Sequence, residues 1–132
     1  MSMGPVNWLA VFLAAALAVA VGLVWHGPLF RTGRQLIPGR AQRGANYAVV
    51  VFVMLVSSAM LGHNFARIGA ETLAAKPWLY FMQTGGVSVA FVMPAVWLTH
   101  LRQRTEPMRR VVDCLFWLVA YLAMGLVFWV LG

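Results

Sequence analysis

The sequence has few of the side chains on which soluble enzymes depend. It contains one cysteine, Cys114, and three acidic residues, Glu71, Glu106 and Asp113. A single cysteine excludes an intrachain disulfide and a multi-cysteine metal site. No two carboxylates lie together in an apolar segment, and neither a glycine-rich phosphate loop nor a Ser-His-Asp pattern stands out, so the sequence favours a protein that is not an enzyme.

Charge of either sign is scarce as well. Charged residues make up 10% of the chain and hydrophobic residues 62%, with a mean hydropathy of +0.81, whereas soluble domains carry about 25% charged residues. A bilayer core roughly 30 Å thick needs about 20 apolar residues per helix, so four spans use most of the chain. The composition predicts a single all-α domain that is integral to a membrane.

Four apolar segments are long enough to be predicted as transmembrane helices. No Lys or Arg precedes the first of them, and it continues past Ala20 to Trp25, which favours a span over a cleavable signal peptide. Pro94 and the Gly85-Gly86 pair make the third the span that we expect to bend. The predicted spans are residues 6–25, 46–65, 78–99 and 111–131.

The net charge of +7 is concentrated in two of the three connections. The remaining connection carries only Arg67 and Lys76. By the positive-inside rule, loops 1 and 3 are cytoplasmic and both termini lie outside, which gives an up-down-up-down four-helix bundle. We expect the loop arginines to meet anionic lipid head groups and not nucleic acid. The arginines of loop 1 are Arg31, Arg34, Arg40 and Arg43, and those of loop 3 are Arg102, Arg104, Arg109 and Arg110. The residues that we expect at lipid head groups are Arg31, Arg34, Arg102, Arg104, Arg109 and Arg110.

Small residues recur every four positions along the first span. Ala10, Ala14, Ala18 and Gly22 form one narrow ridge, and small side chains let helix backbones approach closely in lipid. We expect this ridge to face protein. The sequence leaves open whether that protein is the rest of this chain, a second copy or another subunit.

The predicted topology brings polar residues together at each membrane face. His26, His100, Asp113 and Cys114 meet at the inner face, where they have donor atoms suited to a transition metal or to proton relay. The alternative is that the histidines are hydrogen-bonded interfacial side chains and that Asp113 pairs with an arginine or with His100, so no metal or other cofactor is expected. A second set of polar residues lies toward the outer face, where we expect hydrogen bonds between helices or a small wet cavity. Its members are Asn7, Ser57, Ser58, His63, Asn64, Gln83 and Thr84.

Two short motifs carry a resemblance to a known family. Residues 7–11 (NWLAV) and 25–30 (WHGPLF) resemble the bacterial membrane family catalogued as domain of unknown function 1761, and the similarity continues through residues 91–94, 106–108 and 118–125. The resemblance implies a four-helix integral membrane protein, which we expect to be multi-pass in the bacterial inner (plasma) membrane. It implies no activity.

A weaker resemblance concerns the start of the second span. Residues 40–46 (RAQRGAN) look like the arginine and asparagine motif of the membrane-associated glutathione and eicosanoid enzymes, although Val49 stands where those enzymes have an acid. The resemblance implies glutathione binding at Arg40, Arg43 and Asn46.

These observations lead to one main functional hypothesis and two alternatives. The first is a non-catalytic subunit that packs against other membrane proteins, as a homo-oligomer or in a larger complex. The alternatives are a membrane-bound glutathione-dependent enzyme and a small-solute transporter that uses the Gly85-Gly86 and Pro94 helix.

Overall fold

The computed structural model describes residues 6–25 and 40–131, with backbone only for residues 40–47. In this part of the chain the residues form helices and no strand, which confirms the predicted all-α class. The helices are α1 (Trp8–Val24), α2 (Arg40–Ile68), α3 (Ala70–Ala75), α4 (Trp78–Val87), α5 (Met93–Arg102) and α6 (Pro107–Leu131), and a π-helical turn at Ser88–Val92 joins α4 to α5.

Three of these helices are long and apolar enough to cross a membrane. They are Ala48–Ile68 within α2, the continuous α4–α5 helix (Trp78–Arg102), and α6. α1 is shorter, with 17 residues, which at 1.5 Å per residue span about 25 Å. The predicted spans 46–65, 78–99 and 111–131 lie inside longer helices, because a helix continues through polar residues that hydropathy does not count.

α1 packs between α2 and α6. Ala10, Ala14 and Ala18 are completely buried, and Gly22 is half-buried beside Phe116. Most of the predicted ridge is therefore enclosed within this chain.

Contacts at its two ends show that α1 runs antiparallel to α6. Asn7 caps the start of α1, since its Oδ1 accepts from the backbone N–H of Ala10 at 3.1 Å, and its Nδ2 donates to the carbonyl of Leu131 at 3.1 Å. At the other end, Trp25 Nε1 donates to the carbonyl of Val112 at 3.1 Å.

The α4–α5 helix packs mainly on α6 and touches α2 only slightly. Its π-helical turn ends just before Pro94, and the N–H of Met93 bonds to the carbonyl of Ser88, five residues back. A proline has no N–H and its ring crowds the carbonyl four residues earlier, and a π turn is wide enough to accommodate both effects. Pro94 thus interrupts the α-helical hydrogen bonding of this helix without ending it.

Candidate functional site

Polar residues at the end of α5 and the start of α6 form a network of side-chain contacts. His100 Nε2 lies 2.6 Å from Asp113 Oδ2, and both side chains are mostly buried, with 17% and 23% exposed. The link between the two helices is short, and Arg104 within it has a positive φ of 56°. This tight turn makes α5 and α6 antiparallel neighbours and brings the two side chains together.

Thr105 completes the surroundings of His100. Its Oγ1 lies 2.9 Å from His100 Nδ1 and donates to the carbonyl of His100 at 3.2 Å. Thr105 thus holds the ring in place from its Nδ1 side, while Nε2 faces Asp113. The ring gives the carboxyl group of Asp113 the polar partner that such a group needs in an apolar helix.

Arg110 and Trp97 make a second contact between the same helices. The guanidinium carbon of Arg110 lies 5.6 Å from the centroid of the Trp97 ring, in a cation–π contact. Within the described part of the chain, the buried Arg110 Nε has no hydrogen-bond partner. Asp113, one turn further along α6, is paired with His100 instead.

Cys114 is buried but does not join the His100–Asp113 pair. Its sulfur contacts the carbonyl oxygen of Met93 at 3.5 Å. Among the described residues, no three His, Cys, Asp or Glu side chains are grouped closely enough to hold a metal ion. His26, the fourth member of the predicted inner set, lies outside the described residues.

An apolar groove of about 260 Å³ separates α5 from α6 beside this network. Its walls are Val89, Met93, Pro94 and Trp97 on one side and Val111 and Leu115 on the other, with Cys114 between them. Trp97, Val111 and Leu115 are also exposed on the outer surface. The groove is therefore open along the outer surface of these two helices.

The predicted outer polar set makes local and interhelical hydrogen bonds. Ser58 Oγ donates to the carbonyl of Val11 at 2.7 Å, and Tyr121 donates to Ser57 Oγ at 3.0 Å. Thr84 Oγ1 donates to the carbonyl of Tyr80 in its own helix at 2.9 Å. The bonds of Ser58 and Tyr121 join α1, α2 and α6 in the part of the molecule farther from the His100–Asp113 pair.

Other predicted site residues fall into two groups. Arg102 and Arg104 are exposed and Arg109 is half-buried, all near the His100–Asp113 pair. Arg31 and Arg34 lie outside the described residues, and so do the side chains of Arg40, Arg43 and Asn46, which lie in the first two turns of α2.

Trp97 and Thr105 were not singled out as site residues. Trp97 follows the interfacial pattern of a tryptophan at a span end. Thr105 is recognisable only once the turn after α5 is known, because its position beside His100 depends on that turn.

A family model with the description "Protein of unknown function (DUF1761)" matches residues 9–129. This match confirms the first of the two resemblances noted in the sequence. Comparison with curated proteins and with solved structures finds no match.

Proposed function

The chain belongs to the DUF1761 family, whose description assigns no activity, and from this premise we propose that it is a small non-catalytic subunit that packs against other proteins in the membrane. The proposal includes four crossing helices in up-down-up-down order, in which α1 crosses the membrane in addition to the three longer helices. It also includes multi-pass insertion in a bacterial inner membrane, cytoplasmic loops 1 and 3, and loop arginines at anionic head groups.

The length of α1 and the end-to-end contacts support the four-span arrangement. Seventeen residues reach about 25 Å, near the roughly 30 Å of a bilayer core, and the range of spanning helices begins at about 17 residues. α1 also runs alongside α6, which is a membrane-spanning candidate, over its whole length from Asn7 to Trp25.

The observation that carries the subunit role is a bare small-residue surface on the α4–α5 helix. Only 11% of the most apolar stretch of this helix is buried, compared with 39% for α6. Gly86 and Ala90, one turn apart, are both exposed, and a Cβ built on Gly86 meets no atom within 4 Å in the described part of the chain. Small residues four apart on an exposed face let a second membrane helix approach closely.

The same helix shows how its two glycines differ. A Cβ on Gly85 would lie 3.2 Å from Leu122 Cδ2 of α6, so Gly85 serves packing within the chain. Gly86 points away from α6, and no described helix fills the space. A partner helix seated on Gly86 and Ala90 would give the α4–α5 helix a second packed side.

Native mass spectrometry of protein extracted in mild detergent tests this role. We expect the protein to be recovered as a complex, with copies of itself or with a partner of distinct mass, and we expect Gly86→Leu to release the monomer. Val56→Phe is the matched control, because it adds the same number of carbon atoms to an exposed site on α2. A native protein that runs as a stable monomer with no stoichiometric partner would refute the proposal.

The glutathione hypothesis remains a prediction, because it depends on the side chains of Arg40, Arg43 and Asn46. A calorimetric titration with glutathione tests it directly, and absence of binding would end it. The transporter hypothesis is tested by solute flux in vesicles reconstituted with the protein.

A further inference from the structure

The groove between α5 and α6 combines an apolar lining with a cation at one end. Val89, Val111 and Leu115 on its walls have exposed fractions of 55%, 42% and 41%, so the groove is open from the side. From Val89 to Trp97 it follows eight residues of helix, or about 12 Å. A narrow apolar channel of this length, open along the membrane-facing surface, suits a section of extended hydrocarbon chain.

Arg110 lies at the Trp97 end of the groove. It precedes Cys114 by four residues, so the two side chains share one face of α6. Its guanidinium rests on the Trp97 ring, which is itself part of the groove wall. The position of the cation is therefore linked to the groove by a direct contact.

The charge of Arg110 has no carboxylate partner among the described residues. Asp113 is engaged with His100, and residues 102–113 hold four arginines against two acids, an excess of two positive charges. An arginine near the end of a membrane helix extends to the interface, where the phosphates of lipid head groups lie. Guanidinium binds phosphate oxygens in a two-pronged manner, and contact with the ring restricts its motion before binding.

We infer that this groove is a binding site for an anionic phospholipid, with one acyl chain along Val89, Met93 and Leu115 and the phosphate on Arg110. The inference relies on the α4–α5 helix and α6 crossing the membrane, as proposed above, but not on the partner subunit. Both kinds of phospholipid carry the phosphate, but a zwitterionic head group adds a cation that the excess of arginine charge repels. The site therefore selects a phospholipid with a net negative head group.

The test measures lipid binding to the purified full chain by native mass spectrometry. Phosphatidylglycerol and phosphatidylcholine with the same acyl chains are titrated separately. We expect phosphatidylglycerol to bind about tenfold more tightly, because it lacks the choline cation that the arginines repel. Arg110→Gln should abolish this preference. Arg67→Gln is the matched control, since it removes the same charge from an exposed position on α2 outside the groove and should retain the preference.

Two further arms separate the acyl-chain site from a bare phosphate site. Leu115→Trp fills the groove and should weaken phosphatidylglycerol binding about tenfold, and Val111→Trp serves if the first variant does not fold by circular dichroism. Glycerol phosphate, which lacks acyl chains, should bind at least tenfold more weakly than phosphatidylglycerol.

Several results would overturn the inference. Equal losses in Arg67→Gln and Arg110→Gln would show that binding follows overall charge. Equal affinities for glycerol phosphate and phosphatidylglycerol would show a site for phosphate alone. A preference for phosphatidylglycerol that survives Arg110→Gln would also refute it. Extraction of the wild-type protein from membranes by alkaline carbonate would instead refute membrane crossing. A mass spectrum that shows no partner subunit would contradict only the proposed subunit role.

Discussion

Gly125 allows a close approach between α6 and the α4–α5 helix, and its replacement by alanine gives a sharp test of the packing. A Cβ at this position would lie 2.6 Å from Thr84 Oγ1, 3.1 Å from Thr84 Cγ2 and 3.1 Å from the carbonyl oxygen of Tyr80. Thr84 is completely buried, so its side chain has no open space to enter. The backbone carbonyl can move only if the helix moves.

The expected loss follows from these contacts. An added methyl group in a packed core costs about 1–3 kcal/mol. If the hydroxyl of Thr84 rotates away, its bond to Tyr80 is lost, and an unsatisfied buried group costs a similar amount. We expect Gly125→Ala to lower the free energy of unfolding by about 2 kcal/mol, which changes the unfolding equilibrium roughly 30-fold.

The assay is unfolding by dodecyl sulfate titrated into mild-detergent micelles, followed by circular dichroism. Gly86→Ala is the matched control, because its Cβ meets nothing within 4 Å in the described part of the chain, and it should leave stability unchanged or raise it slightly. Adding Thr84→Ala to Gly125→Ala removes the nearest two clashing atoms and should recover about 1 kcal/mol. Equal stability of Gly125→Ala and wild type, or no recovery in the double variant, would refute the packing argument.

Further substitutions test three other contacts in the same assay. Asp113→Asn and His100→Gln should each destabilise the protein by about 1 kcal/mol. A double-mutant cycle should show a favourable coupling between the two residues, and strictly additive losses of stability would contradict a direct pair. Ser58→Ala removes the hydrogen bond to the carbonyl of Val11 and should cost about 1 kcal/mol, whereas no change would show that the bond contributes nothing. Gly62→Ala places a Cβ 2.8 Å from Val11 Cγ2 and should lower the stability of the protein. Adding Val11→Ala removes the clashing atom and should restore stability. A Gly62→Ala protein as stable as wild type would contradict this contact.

Hydropathy located the apolar part of each helix but not its ends. The predicted third span stopped at residue 99, whereas the helix continues to Arg102, because arginine and histidine are compatible with a helical backbone beyond the hydrocarbon region. The helix α3 was not predicted, since six residues give too short a pattern to distinguish from a loop. Gly69, with φ of 96°, separates it from α2.

The polar network around His100 and Asp113 was predictable only in part. His100 was among the partners considered for Asp113, and the two residues do lie together. The sequence did not indicate that Arg110 would rest on Trp97, or that Cys114 would face the carbonyl of Met93. Both contacts depend on the rotation of α5 about its axis, which the π-helical turn changes and which apolar composition does not specify.

The hydroxyl of Thr84 bonds within its own helix, and this has a consequence for biosynthesis. In the multi-pass arrangement that we propose, the ribosome would deliver the α4–α5 helix to the membrane before it has made α6, the helix against which that segment packs. Thr84 would then face hydrocarbon with its hydrogen bond to the carbonyl of Tyr80 already formed, so its polar group would need nothing from α6. Gly125 would later pack over a threonine whose hydroxyl hydrogen is already bonded.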